Sequence, residues 1–188
     1  MGLEIERRFL VHGCDWRRHV CWQANLQQGY LVASADGFTV RVRRASGDKA
    51  VAGAWLTLKA RSEQCLEAVD LLPEGLVRQE FEYTIPEADA DALLALAPQR
   101  LCKVRYGLDL PGGEWVLDVF EGANAPLLVA EVELEPQDLK QGLALKPPAW
   151  CGRELTGRHE LSNLALARRP LALWPEAERL ALFEPADI

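Results

Sequence analysis

Residues 2–11 read GLEIERRFLV, a stretch in which charged and apolar side chains alternate. Side chains two residues apart lie on the same face of a β-strand, so Glu4, Glu6 and Arg8 share one face. The opposite face carries Ile5, Arg7 and Phe9. The pattern predicts a strand that presents two carboxylates and a guanidinium in one row, and the rest of the chain decides what such a row is for.

Composition places the chain among globular proteins. With 188 residues, 49% of them hydrophobic, it is long enough to form one domain with a sizeable core. No apolar run approaches the roughly 20 residues that span a bilayer, and the first residues enter a charged strand rather than a secretory h-region. We therefore expect a cytoplasmic protein that does not insert into membranes. The net charge of −7 disfavours a general nucleic-acid binder.

The cysteines and histidines predict neither a disulfide framework nor a zinc site. The five cysteines are scattered, odd in number and form no C-x-x-C pair, so they are expected to be reduced thiols. The three histidines lack the paired spacing of zinc ligands. The residues concerned are Cys14, Cys21, Cys65, Cys102, Cys151, His12, His19 and His159.

The order of predicted elements repeats along the chain. In the first half, the opening strand is followed by a short helix at 15–25 and strands at 26–34, 38–45 and 54–62. In the second half, a strand at 77–85 is followed by a helix at 86–97 and strands at 100–110, 114–122 and 127–136. Each half is thus a β-α-β-β-β unit, which indicates an internal duplication.

These elements predict an α+β fold. Eight strands with few long linkers suggest an antiparallel barrel that is closed, because closure removes exposed edges, with helices packed outside. Residues 135–188 are expected to be mostly helix and loop around it. The barrel domain is placed at 1–170 and a tail at 171–188. The apolar tail is expected to pack on its own barrel, and a homodimer contact is the alternative.

The predicted strands carry charged rows that face away from their apolar neighbours. For one strand, a solvated sheet face explains such a row. Six or more strands repeat it, however, and apart from Arg8 each strand carries one sign. If helices cover the apolar face, the charged face lines the inside of the barrel. Its members are Glu4, Glu6, Arg8, Arg41, Arg43, Lys59, Glu80, Glu82, Lys103, Arg105, Asp118, Glu131 and Glu133.

A polyphosphate bound with a divalent cation satisfies both signs in such a row. Arginine and lysine bind phosphate oxygens, while carboxylates hold a cation that bridges the same oxygens. Oxygen ligands alone favour Mg²⁺ or Mn²⁺ over zinc. On this interpretation Glu4 and Glu6 are metal ligands and Arg8 is a phosphate clamp.

Ordered motifs along residues 3–170 resemble those of the CYTH superfamily, the triphosphate tunnel metalloenzymes. They are EIERRFLV, QGYL, FTVRVR, LTLKA, RQEFEYTI, KVRY, VLDVFEG, AEVELE and GRELTGRHELSN. The resemblance implies an eight-stranded antiparallel tunnel that hydrolyses or rearranges triphosphates with a divalent metal. The family has lysine where this chain has Arg8, and the two cations are not interchangeable at a tight site.

The resemblance also implies roles for individual residues. The metal ligands are Glu4, Glu6 and Glu133, supported by Asp118 and Glu131. The triphosphate-binding residues are Arg8, Arg41, Arg43, Lys59, Lys103 and Arg105. Lys59 and Tyr30 match a pair that helps to activate the attacking water, although a packed strand aromatic explains Tyr30 equally well. Glu80 and Glu82 are expected to hold basic side chains by ion pairing.

The predicted function is metal-dependent hydrolysis of a triphosphate small molecule, inorganic tripolyphosphate being favoured, to pyrophosphate and phosphate. Thiamine-triphosphatase and class IV adenylate cyclase activities are alternatives within the superfamily. A polyphosphate-binding module with little hydrolysis is the alternative from another class of protein.

Overall fold

The computed structural model describes residues 2–34, 37–60, 77–134, 142 and 144–184, and for residues 2–4, 77 and 78 it describes the backbone alone. Cys65 lies outside the described residues, and so does the side chain of the predicted metal ligand Glu4.

The described strands form one nine-stranded antiparallel sheet in the order β5-β4-β3-β2-β6-β7-β8-β1-β9. The strands are β1 (Gly2–Val11), β2 (Val20–Ala33), β3 (Thr39–Gly47), β4 (Gly53–Ala60), β5 (Val77–Thr84), β6 (Gln99–Leu108), β7 (Glu114–Phe120), β8 (Leu128–Glu133) and β9 (Cys151–Glu154).

The prediction of eight strands closed into a barrel is wrong. A ninth strand, β9, joins the sheet from a segment that was predicted as helix and loop. One edge of β1 pairs with β8 over residues 6–10. The other edge is divided: residues 2–5 pair with β5, whereas Phe9 and Val11 pair with β9. The sheet is therefore not the uniform eight-stranded ring that the strand count suggested.

Helices of the described residues are short. They are α1 (Glu87–Leu96), α2 (Asn163–Arg168) and α3 (Glu176–Phe183), with 3₁₀ turns at Asp15–His19, Gly122–Asn124, His159–Leu161 and Leu171–Leu173. The predicted helix at 15–25 is wrong beyond residue 19, because the chain continues as strand β2 from Val20. Among the described residues no helix is long and apolar enough to cross a membrane.

The two faces of the sheet pack against different elements. On the apolar face, Val42 and Ala54 are buried under Ala90 and Leu94 of α1. A larger cluster on the same face joins β1, β7 and β8 to the first 3₁₀ turn through Ile5, Phe9, Trp16, Leu117 and Val132. This part of the structure follows the prediction that helices cover the apolar face.

The C-terminal helices depart from that prediction. Leu10, Leu101, Phe120 and Val129 continue the charged rows of β1, β6, β7 and β8, since each lies two residues from a charged member of its row. They form one buried cluster with residues of the C-terminal segment, namely Leu155, Leu161, Leu166, Leu171, Trp174 and Leu182. Residues 155–183 therefore cover one end of the charged face.

Candidate active site

Strand register places the predicted site residues on one face of the sheet. Arg41 is opposite Tyr30, Lys103 is opposite Phe120, and Asp118 is opposite Arg105 and Val129 in neighbouring strands. Following these pairs across the sheet keeps Arg41 and Glu133 on the same face. The charged face therefore exists as predicted, although the barrel does not, and its side chains form two ion-pair networks.

The first network, here the Glu80 network, joins β3, β4 and β5. Arg41 Nη2 lies 3.4 Å from Glu80 Oε1 and 3.5 Å from Glu82 Oε2. Arg43 Nη2 lies 2.9 Å from Glu82 Oε1, and Lys59 Nζ lies 3.2 Å from Glu80 Oε2. The ion pairing expected of Glu80 and Glu82 is confirmed.

Thr57 completes the Glu80 network. Its hydroxyl accepts a hydrogen bond from Arg41 Nη2 at 3.1 Å and donates one to Glu82 Oε2 at 2.9 Å. The threonine is fully buried, and its bond with Arg41 forms away from bulk water, whereas its bond with Glu82 is only partly buried. This threonine holds the carboxylate of Glu82 between two arginines.

Arg43 is a poorly compensated cation in this network. Burial, followed by repulsion from Arg41, lowers the pKa of Arg43 to about 10, and Glu82 opposes the shift only in part. The Nε atoms of Arg41 and Arg43 are buried and have no hydrogen-bond partner among the described residues. An anion bound at this face would relieve both deficits.

The second network, here the Asp118 network, joins β6, β7, β8 and β1. Asp118 accepts hydrogen bonds from Lys103 Nζ at 2.5 Å and from Arg105 Nε and Nη2 at 2.7 Å each. Glu131 accepts from Arg105 Nη2 at 2.6 Å and from Arg8 Nε at 3.1 Å. Carboxylates and cations thus alternate along a buried path.

Burial makes this network interdependent. Lys103 and Asp118 are both 0% exposed. Burial alone would raise the pKa of Asp118, but Arg105 and Lys103 outweigh it and hold that pKa well below its usual range. Burial lowers the pKa of Lys103 to about 8, although Asp118 opposes the shift. Removing any one charge would leave its partners uncompensated.

The predicted metal ligands lie in the charged rows of β1 and β8, at the end opposite Leu10 and Val129. Glu6 is opposite Glu133 in the β1–β8 pair, and Glu133 is opposite Glu114 in the β7–β8 pair. Glu133 is exposed and Glu6 half-buried. Within the described side chains no group of three or more acidic, histidine or cysteine residues is placed to hold a metal ion. The side chain of Glu4 is not among those described, so the three-carboxylate ligand set stays a prediction.

The predicted supporting ligands have other partners. Both oxygens of Asp118 and both oxygens of Glu131 accept hydrogen bonds from cationic side chains. Direct metal ligation by these two residues stays a prediction as well. In the structure they hold the basic side chains in place.

Tyr30 and Lys59 lie on the same face with β3 between them. Tyr30 is 5% exposed and opposite Arg41, while Arg41 is in turn opposite Thr57, two residues before Lys59. Lys59 pairs with Glu80. Their predicted role in activating water stays a prediction.

Sequence reasoning missed several residues at this face. A cleft beside Glu6 and Arg8 is lined by Thr156, Gly157, Arg158, His159 and Ser162. Lys103 Nζ donates to Asn163 Oδ1 at 3.1 Å. The cleft residues from Thr156 to Ser162 and Asn163 all belong to the motif GRELTGRHELSN. The motif was therefore the available signal, although it assigns no role to any of them.

Gln28 is a further residue that the strand pattern did not single out. It is 1% exposed, opposite Arg43 in the β2–β3 pair, and its Oε1 atom has no hydrogen-bond partner among the described residues. Its position within QGYL was the signal, but a polar residue in a strand usually indicates a solvated face.

Together the two networks favour an anion. Their cations are Arg8, Arg41, Arg43, Lys59, Lys103 and Arg105, and their carboxylates are Glu80, Glu82, Asp118 and Glu131. Among the described residues, each network therefore has three cations and two carboxylates, on a protein whose net charge is −7. Basic rows beside a row of glutamates suit a phosphate chain that carries a divalent cation.

Comparison with known proteins agrees with this chemistry. An inorganic triphosphatase of Acetivibrio thermocellus is 33% identical over 172 residues, which cover 90% of this chain and 96% of that protein. An inorganic triphosphatase of Nitrosomonas europaea is 35% identical over 167 residues, which cover 87% and 96%. No protein-family model matches the chain.

A solved structure gives the same result. The crystal structure of an inorganic triphosphatase superposes with a TM-score of 0.57 at 33% identity, covering 89% of this chain and 95% of that one. Identity at this level over nearly the whole length of each relative decides the family. The chain belongs to the inorganic triphosphatases of the CYTH superfamily.

Proposed function

We propose that this protein hydrolyses inorganic tripolyphosphate to pyrophosphate and phosphate. The observation that carries the proposal is the pair of ion-pair networks on one face of the sheet, each with three cations and two carboxylates among the described residues. A chain of phosphates offers oxygens to both networks at once. The activity named for two relatives, each about one-third identical to this chain, supports the same substrate.

A divalent cation fits the donors at this face. Glu6 and Glu133 are directly opposed, and Glu4 lies two residues before Glu6 on the same strand. All three offer carboxylate oxygens, the donors that Mg²⁺ and Mn²⁺ prefer. We assign Glu4, Glu6 and Glu133 as the residues that would hold it. When bound, the cation would neutralise charge on the phosphate oxygens and polarise the P–O bonds.

The protein's own residues position the reactants. Arg41, Arg43 and Arg105 bind phosphate oxygens and stabilise negative charge that develops in the transition state. Water adds to a terminal phosphorus while the bond from that phosphorus to the bridging oxygen breaks, and pyrophosphate leaves. Lys59 and Tyr30 orient the attacking water in this proposal. Glu80, Glu82, Asp118 and Glu131 hold the cationic side chains in register.

A substrate panel tests the proposed activity. We expect phosphate release from tripolyphosphate with Mg²⁺ or Mn²⁺, and slower release from ATP, thiamine triphosphate and pyrophosphate. Cyclic AMP formation from ATP would instead identify a cyclase. Binding of tripolyphosphate without any release of phosphate would identify a polyphosphate-binding module.

Carboxylate variants test the assigned ligands. Glu6→Gln and Glu133→Gln should each lower kcat/KM, because one ligand of the cation is lost. The decrease should correspond to several kcal/mol of lost transition-state stabilisation. Glu176→Gln is the matched control, since that carboxylate is exposed in α3 and does not belong to the charged rows. Normal metal-dependent turnover in Glu133→Gln would contradict the assignment of Glu133.

A further inference from the structure

Both ends of the Asp118 network terminate on the same short segment. At one end Lys103 Nζ donates to Asn163 Oδ1 at 3.1 Å, and at the other Arg8 Nη2 donates to the Leu161 carbonyl at 3.0 Å. Between these ends the hydrogen bonds run from Lys103 through Asp118, Arg105 and Glu131 to Arg8. Residues 161–163 therefore close the network into a ring.

The segment is firmly placed against the sheet. Leu155 N donates to the Arg8 carbonyl at 2.7 Å, and Arg8 N donates to Thr156 Oγ1 at 3.1 Å. Leu161 is fully buried in the cluster that covers the end of the charged face. Ser162 caps α2 by accepting a hydrogen bond from Ala165 N at 3.2 Å. Asn163 is thus fixed by its backbone, and its amide oxygen can hold Lys103 in one position.

Charge distinguishes these end groups from the other acceptors of the network. The internal acceptors, Asp118 and Glu131, are carboxylates, whereas the Asn163 amide and the Leu161 carbonyl are neutral. Among the described residues, Lys103, Arg105 and Arg8 therefore form ion pairs with two carboxylates within the ring. A carboxylate at residue 163 would cancel the excess positive charge without changing the shape of the side chain.

We propose that Asn163 is a positioning residue of the active site, which holds Lys103 with a neutral acceptor and so preserves a net positive charge for the triphosphate. The inference rests on the proposed function. Glu6 lies near enough to Arg8 and Arg105 to act on both electrostatically. In the proposed function, however, Glu6 is a ligand of the divalent cation, which would compensate its negative charge. The excess charge of the ring is left for phosphate oxygens.

The isosteric substitution Asn163→Asp tests the charge directly. We expect the dissociation constant for imidotriphosphate, a tripolyphosphate analogue with non-hydrolysable P–N–P links, measured by calorimetry with Mg²⁺ near neutral pH, to rise roughly tenfold. The KM should rise in parallel, with a smaller change in kcat. The melting temperature should stay constant or increase, because the new carboxylate pairs with Lys103. A purely structural role would not lower affinity while stability is maintained.

Two further variants complete the test. Asn25→Asp adds the same charge at an exposed residue on the other face of β2 and should leave the dissociation constant within about twofold. Asn163→Leu removes the acceptor and should lower the melting temperature, because Lys103 then loses one of its two hydrogen-bond partners.

The outcomes separate this inference from the proposed function. Equal affinities in Asn163→Asp and Asn25→Asp, in an active wild-type background, would overturn the role of Asn163 alone. A loss of affinity in Asn163→Asp that is matched by a fall in melting temperature would overturn it too. Wild-type protein that neither binds nor hydrolyses tripolyphosphate would overturn both proposals.

Discussion

Arg8 shows at the scale of one residue how the charged face is held. Its guanidinium donates through Nε to Glu131 at 3.1 Å and through Nη2 to the Leu161 carbonyl at 3.0 Å. Burial opposes its charge, but Glu131, Glu6 and Asp118 together raise its pKa. Arg8 therefore forms its ion pair with Glu131 of the neighbouring strand β8.

Arg8→Lys should reduce both stability and activity, although it restores the residue typical of the superfamily. A single ammonium on a flexible stem cannot reproduce two hydrogen bonds from the two sides of a planar group. We expect a loss of about 1–2 kcal/mol in the free energy of unfolding and an increased KM for tripolyphosphate. Denaturant unfolding and steady-state kinetics measure the two effects.

The exposed pair Arg18 and His19 supplies the control for that substitution. Arg18→Lys changes the same functional group at the surface and should alter neither quantity measurably. Arg8→Lys with unchanged stability and an equal or lower KM would show that this position needs only a positive charge.

Residue-level prediction from the sequence was sound for faces and weak for partners. Alternation with period two decides which side of a strand a residue occupies, so the charged face was predictable. The contact between Lys103 and Asn163 was not predictable. Asn163 is 60 residues away in sequence and reaches Lys103 only because the C-terminal segment folds back onto the sheet. Lys103 was predicted to bind phosphate, yet it is 0% exposed and bonded to Asp118 and Asn163.

At the scale of elements, β9 depends on a buried arginine. Arg7 lies on the apolar face of β1 and is 8% exposed. Its Nε and Nη2 atoms donate to the two carboxylate oxygens of Glu154 in β9, at 3.0 and 2.8 Å. Nη1 donates to the carbonyls of Gly142 and Leu145. One side chain thus ties β1 to two parts of the C-terminal region.

Glu154→Gln should destabilise the protein at neutral pH and have little effect in acid. The hydrogen bonds from Arg7 lower the pKa of Glu154, so its stabilising contribution is complete above the carboxyl's usual pKa and is lost as the pH falls through the lowered value. Because this carboxylate is 42% exposed, we expect only about 1 kcal/mol. Urea unfolding at neutral and acidic pH measures the difference.

A control for the acid effect is Glu176→Gln, which removes an exposed carboxylate of α3. It should change the free energy of unfolding by less than about 0.5 kcal/mol at both pH values. A deficit in Glu154→Gln that persists undiminished in acid would show that ionisation of Glu154 is not the cause.

Elements were predictable where one period dominates the sequence. The strands of the two β-α-β-β-β units and helix α1 appear where alternation and the residues around Pro86 predict them. Residues 20–25 were assigned to a helix because Asp15 offers a cap, but Asp15 lies within a short 3₁₀ turn that ends at His19 and has no side-chain cap, and β2 begins at the next residue. β9 has four residues, too few for a period to be read from sequence.

In the whole molecule, the C-terminal region packs against the sheet. Trp174 and Leu182 are buried with Leu10 and Phe120, which lie on the charged face. The C-terminal helices thus cover the apolar residues at the end of the charged face, which would otherwise be exposed to water. A homodimer remains a prediction, and among the described residues of this region the exposed Leu173 and Leu180 are available to it.

Leu182 and Leu180 provide a matched pair within α3 that separates packing from association. Leu182 is 2% exposed and Leu180 is 59% exposed. Leu182→Ala should lower the free energy of unfolding by about 2–5 kcal/mol, since it leaves a cavity in the cluster. It should also reduce tripolyphosphate hydrolysis, because the same cluster places Leu161, whose carbonyl holds Arg8. Leu180→Ala should change stability by less than about 0.5 kcal/mol if the protein is a monomer. A concentration-dependent loss of stability in Leu180→Ala, with a smaller mass by light scattering, would instead place Leu180 in a dimer contact.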